Sequence, residues 1–238
     1  MPAALVQTVK TIDNDASTTS VTSSLTFIAG NMALLGILQY RGAGARTITS
    51  VMLDGTTPLQ LDKELAQASD GAAKAHVYSL NNVSAGAHTV TVTWATGGPD
   101  LVTMFFHEVS GVTTGSPYVD GSGAAATNTG LNNAASGNFI TLADSFMYGL
   151  LSLDTSSTGF TLTQGSGWSI TDATNGKHTS AALCGGAEYK ANPGTTSHNA
   201  TWVAHPNTEW ISIGFAYKAI PPPPPTIYRG IVPTQRMG

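Results

Sequence analysis

The sequence predicts an all-β protein: an antiparallel β-sandwich followed by an extended C-terminal arm. Three observations carry that expectation. The chain has 33 Thr and 26 Gly in 238 residues, and charged residues make up only 10%. Such a composition suits pleated, half-buried surfaces and lacks the Glu, Lys and Arg that dress helix faces. Several segments alternate apolar and polar residues with period two, and turn residues separate them. Finally, the uninterrupted run Pro221, Pro222, Pro223, Pro224, Pro225 forbids any regular element except polyproline II. Hydrophobic residues at 41% and a net charge of −4 argue against disorder. Ten basic against 14 acidic residues, with no basic run, argue against a nucleic-acid partner.

The elements follow in chain order. Residues 1–19 are polar and Thr/Ser-rich, expected as an N-terminal segment that serves as a second, less specific arm. Ala33 to Leu38 is apolar throughout, as a strand covered on both faces would be. Asp54-Gly55 marks a turn. Asp62 to Ala68 is the only helix candidate and reads equally as a loop. In Thr89 to Trp94, Val90, Val92 and Trp94 share one face and three threonines the other. Leu101 to Val109 and Phe146 to Leu153 again read as doubly covered strands. In Ile211 to Lys218, Ile211, Ile213, Phe215 and Tyr217 oppose Ser212, Gly214, Ala216 and Lys218. Gly97-Gly98-Pro99, Asn175-Gly176 and Asn192-Pro193-Gly194 supply further turns. Short strands at this spacing predict a sandwich.

The second half of the chain echoes the first. Trp94 follows Gly86 by eight residues and Trp202 follows Gly194 by eight, each Trp preceded by Thr. A Pro-containing turn and an apolar strand come after both. The physical reading is two similar β-meanders whose inner faces pack on each other. Neither half buries its apolar face alone, so residues 20–219 form one expected domain and 220–238 an arm.

The pattern Asn31 to Leu38, Ser50-Val51-Met52-Leu53-Asp54-Gly55, Tyr78-Ser79-Leu80, Gly86 to Val92 and Glu108-Val109-Ser110-Gly111-Val112 resembles a β-sandwich module of phage virion proteins and bacterial surface proteins. The resemblance spans about residues 20–219 and implies a jelly-roll-like double sheet, without any catalytic residue to carry over. The N-terminus has no basic segment followed by an apolar one, so no secretory signal is expected. The longest apolar stretch, Phe27 to Leu38, is too short to span a bilayer. These features favour the phage side of the resemblance. The expectation is a non-enzymatic structural protein of the virion surface, made in the host cytoplasm, as a capsid decoration or head-fibre component. A carbohydrate-binding or host-adhesion module is the alternative.

The arm is the expected docking device. Five prolines at about 3.1 Å each make a stiff spacer of roughly 15 Å. Beyond them Ile227, Tyr228, Ile231 and Val232 supply apolar side chains, and Arg229 and Arg236 supply charge without any acid. Burying two or three of the apolar side chains contributes roughly 1.5–3 kcal/mol each as an upper bound, much of it offset by ordering the peptide. One arm therefore binds weakly, while several arms on an oligomer of this chain hold other virion proteins firmly.

Chemical motifs are sparse. Cys184, the only cysteine, sits in an apolar run and reads as a buried thiol. The six histidines show no metal-ligand spacing, and His107-Glu108 reads as a strand pair pointing to opposite faces. Asp13-Asn14-Asp15 lacks the rest of a calcium loop and reads as a turn. A serine nucleophile elbow and a phosphate loop are absent from the sequence, and Asp144 with Glu188 is one carboxylate pair among many conceivable. No metal and no cofactor is expected. For a host glycan, Trp168, Tyr40 and Tyr118 are the candidate stacking rings. Trp168 also reads as core, since Ile170 follows in phase, and Trp94 and Trp202 read as core.

Overall fold

The computed structural model describes residues 3–15, 17–29, 31–42, 46–69, 71–95, 97–116, 118–141, 144–154, 162–172, 177–179, 183–191 and 194–221, with backbone only at 129–132, 177–179 and 204–207. These residues form strands and no helix, and every strand pairing is antiparallel. The first part of the chain carries β1 (Ala4–Asp13), β2 (Ser20–Phe27), β3 (Asn31–Tyr40), β4 (Ile48–Leu53), β5 (Thr57–Pro58), β6 (Gln60–Ala66), β7 (Ala73–Val83), β8 (Gly86–Trp94) and β9 (Leu101–Ser110). The second carries β10 (Ala124–Ala135), β11 (Phe139–Ile140), β12 (Ser145–Asp154), β13 (Thr163–Gln164), β14 (Ser169–Ile170), β15 (Lys177–Thr179), β16 (Cys184–Ala191), β17 (Ser197–His198) and β18 (Thr201–Lys218).

A five-stranded sheet runs β1-β9-β3-β7-β6, and a four-stranded sheet runs β2-β8-β4-β5. A seven-stranded sheet runs β10-β18-β12-β16-β14, with β13 on β18 and β15 on β16, and β11 pairs with β17. The sheets stack in layers. Leu35, Ile37, Met104 and Phe106 of the five-stranded sheet meet Val90, Val92 and Trp94 of the four-stranded one. Its other face sends Leu34, Leu38 and Phe105 against Tyr148, Leu150 and Ile213 of the seven-stranded sheet. Strands β3, β9 and β12 are buried on both faces because each lies between two cores, which explains their unbroken apolar runs.

The structure corrects three expectations. Asp62 to Ala68 belongs largely to β6, hydrogen-bonded to β7 with a bulge between Leu61 and Lys63. The segment is too short to hold a helix against a waiting sheet edge. Residues ahead of 20 include β1, paired with β9 from Ala4↔Ser110 to Asp13↔Val102, so this stretch belongs to the body and is not an arm. The Ser212-Gly214-Ala216 face of β18 is buried too, because Phe139 packs over Gly214 and beside Ala216. Small residues there admit a second covering layer. The Asp54-Gly55 turn appears as expected, with both residues in the left-handed region at φ 51° and 71°.

Candidate docking site at the root of the C-terminal arm

Strand β18 lies between β10 and β12 and carries the chain to its exit. There the connection between the two parts of the chain wraps it. Lys218 N donates to Tyr118 O at 2.8 Å, and Thr113 N donates to Lys218 O at 2.9 Å. Ala219 N donates to Asp144 O at 3.2 Å, and Ile220 N donates to Gly111 O at 2.8 Å. The Asn31 side chain holds Val112 in register from both sides: Nδ2 donates to Val112 O at 2.9 Å, and Val112 N donates to Oδ1 at 2.6 Å. The backbone is therefore fixed to Ile220, and Pro221 is exposed. Ala4 pairs with Ser110, so the N-terminal strand begins at this same corner. Pro222, Pro223, Pro224, Pro225, Ile227, Tyr228, Arg229, Ile231, Val232 and Arg236 lie outside the described residues.

A buried polar cluster stands behind the exit. Tyr217 donates its hydroxyl to Asp62 Oδ2 at 2.7 Å, Ser79 Oγ donates to the same oxygen at 2.5 Å, and Gln60 Nε2 donates to Oδ1 at 3.2 Å. The Tyr118 hydroxyl lies 3.0 Å from Ser79 Oγ, and the Tyr118 and Tyr217 rings stack at 6.3 Å between centroids. Burial pushes the Asp62 carboxyl up to about 6 despite these hydrogen bonds. Burial also raises the hydroxyls of both tyrosines, Tyr217 well above its ordinary value. The cluster ties β6 and β7 to the strand that leads into the arm. Neither Asp62 nor Asn31 was singled out in the sequence, because nothing local distinguishes a carboxylate or an amide that acts on residues more than 80 positions away.

The candidate stacking rings are placed as follows. Tyr118 is 7% exposed and belongs to the cluster just described. Trp168 is 7% exposed and packs with Phe139, Met147 and Ala200 on the far side of the seven-stranded sheet. Tyr40 is half-buried against the central core. Trp94 and Trp202 are core, at 2% and 1% exposure. At 7% exposure Trp168 and Tyr118 present little ring surface, while Tyr40 keeps part of its ring exposed.

Several other ionisable groups make local hydrogen bonds. His107 makes hydrogen bonds to the Thr8 hydroxyl and, through Nε2 at 3.0 Å, to the Tyr148 hydroxyl, and burial drives it down to about 3, so it is neutral. Glu108 accepts from Gln7 Nε2, Ile28 N and Ala29 N at 2.6, 2.9 and 2.7 Å. Glu188 lies over Gly149 and accepts from Gly165 N at 3.1 Å, and burial pushes it up to about 8. Asp144 lies elsewhere, at the arm root. Asp13 and Asp15 each accept a backbone N–H two residues on, as turn residues do. Cys184 is buried. Among the described residues no three His, Cys, Asp or Glu side chains gather as a metal site would require. Comparison with models of protein families, with curated proteins and with solved structures finds no match to this chain.

Proposed function

We propose that this chain is a non-enzymatic structural protein of a bacteriophage particle, a β body on the virion surface held to neighbouring proteins by its C-terminal arm, as a capsid decoration or head-fibre component. One observation carries the reading. The backbone is hydrogen-bonded up to Ile220, Pro221 is exposed, and four further prolines follow without a break. Consecutive prolines make a stiff, extended spacer, which suits a segment that carries a docking peptide. The apolar side chains Ile227, Tyr228, Ile231 and Val232 are costly on a free tail and useful on a docking peptide.

We further propose that the body is a duplicated jelly roll. The orders β1-β9-β3-β7 and β10-β18-β12-β16 coincide strand for strand, and β2-β8 answers to β11-β17. In each set the third, first and last long strands lie together, while the second and next-to-last pair in a separate sheet, which is jelly-roll connectivity. Such units serve as rigid building blocks in assemblies. The engagement of Asp62, His107 and Glu108 in structural hydrogen bonds also fits a scaffold role.

The test is co-sedimentation of the full chain, and of a chain ending at Ile220, with particles of the phage that encodes it. The full chain should pellet with particles and the truncated chain should stay in the supernatant. Equal pelleting of both would remove the arm from the account, and absence of the full chain from particles would remove the function.

A further inference from the structure

A cavity of about 430 Å³ lies where the β4–β5 turn of the four-stranded sheet meets the end of β7 in the five-stranded one. Its size falls within the range of small-ligand pockets, roughly 300–1,000 Å³. Asp54, Thr57, Asn81, Asn82, His88 and Thr114 line it together with Leu80. Its walls are tied to one another. Asp54 Oδ1 accepts from Thr89 N at 2.8 Å, and Asn81 Nδ2 donates to Thr114 O at 3.0 Å. Asp54 and Asn82 hold left-handed backbone at φ 51° and 58°, a conformation that few residues besides Gly, Asn and Asp adopt. A pocket built in this way needs little reordering when a ligand enters.

Charge decides the ligand class. His88 Nδ1 lies 2.8 Å from Asp54 Oδ2, and His88 Nε2 lies 2.9 Å from Ser84 O. Both partners only accept, so the ring donates from both nitrogens and is a cation. Burial opposes that charge, but the hydrogen bonds to Asp54 and Ser84 outweigh it and raise the imidazole above its ordinary value. Hydrogen bonds from Thr89 and His88 in turn hold the Asp54 carboxyl below its ordinary value. The two charges cancel within the wall. Among the described residues that line the cavity there is no Lys, Arg or Glu. An anionic ligand finds no unpaired cation there, and a cationic ligand no unpaired carboxylate. What remains is a set of amides and hydroxyls, each able to donate or accept, beside the apolar Leu80. We propose that this cavity binds a neutral saccharide, with Thr57, Asn82 and Thr114 pairing with its hydroxyls and Leu80 meeting its C–H face. The inference stands on these residues alone and is independent of the docking function.

The test is saturation-transfer difference NMR on the full chain with lactose, maltose, mannobiose, N-acetyllactosamine and chitobiose. Glucose 6-phosphate and glucuronic acid are the charged comparisons. At least one neutral sugar should receive saturation, with a dissociation constant on the order of millimolar. The Thr57→Val, Asn82→Gly double variant should weaken binding of that sugar about tenfold. Its thermal midpoint should stay near the parent's, since both side chains are exposed and glycine accepts the left-handed backbone at position 82. Thr114→Val alone should weaken binding about threefold, which reads the site even if the double variant loses stability. Ser166→Ala, in a groove on the other part of the chain, should leave binding unchanged. No saturation of any neutral sugar, stronger binding of a charged one, or full affinity in the Thr57, Asn82 and Thr114 variants would overturn the saccharide site. Each of those results leaves the arm's docking role standing.

Discussion

The hydroxyl of Tyr217 donates a 2.7 Å hydrogen bond to the carboxylate of Asp62, joining the last strand of the body to the edge strand of a different sheet. The two residues are 155 positions apart in sequence. Asp62 is raised by burial to about 6, so between about pH 4 and pH 6 it keeps a proton in the folded state that the unfolded chain has lost. Its contribution to stability falls as pH rises through that window and is level above it, with a slope of up to about 1.4 kcal/mol per pH unit. Asp62→Asn has no such slope. Urea unfolding of both proteins at pH 4 and pH 7 should show the parent losing stability relative to the variant. Parallel changes would mean that Asp62 is not held in a buried, desolvated state.

Glu188 extends the same logic to higher pH. Burial raises it to about 8 from an ordinary 4.5. Stability from this group falls as pH rises from about 4.5 to about 8, then stops changing. Between pH 7 and 8 folded Asp62, near 6, and unfolded His107, ordinarily 6.5, are both mostly deprotonated, so Glu188 gives the largest slope among these three. Glu188→Gln should flatten the unfolding free energy across that interval. A variant that retains the parent's slope would contradict the burial of this carboxyl.

Gly36 on β3 faces Tyr148 on β12 across the central core, and the first atom a Cβ at position 36 would meet is the Tyr148 hydroxyl oxygen. Gly36→Ala should destabilise the body by about 1–3 kcal/mol through overpacking. Tyr148→Phe removes the clashing oxygen at the expense of the hydrogen bond to His107. In that background Gly36→Ala should cost less, and a double-mutant cycle on thermal midpoints reads the difference. Strict additivity would mean that the two sheets do not pack at this distance.

The central core takes side chains from both parts of the chain, among them Leu34, Leu38 and Phe105 from one and Phe146, Leu150 and Ile213 from the other. The connection at Thr114 to Ser116 is exposed. A chain nicked between Gly115 and Ser116 should therefore elute from size exclusion as one body under native conditions and separate in urea. Separation without denaturant would place the two cores in independent domains.

Much of the architecture is legible in the sequence because burial on two faces leaves an unbroken apolar run. Ala33 to Leu38, Leu101 to Val109 and Phe146 to Leu153 could be read as doubly covered strands for that reason. Trp94, Trp202 and Cys184 were readable as core from their apolar neighbours. What escaped reading depends on distant partners. Asp62 to Ala68 has helix-forming residues, but a free strand edge on β7 captures it. Thr8 and Lys10 look like solvent residues of a polar segment, yet β1 pairs with β9 along most of its length. Gly214 and Ala216 read as part of an outer face, yet Phe139 packs over them from another segment. The polar cluster at the arm root was invisible because Asp62, Ser79, Tyr118 and Tyr217 converge from four separate segments.

A reconstruction of the native phage particle by electron cryo-microscopy bears most directly on the central claim. A layered β body should appear on the outside of the particle, joined to its neighbours by thin density that begins at Ile220 and ends in an apolar groove of another protein. A particle without this body, or a body seated with its C-terminal strand pointing into solvent and no density beyond it, would contradict the claim.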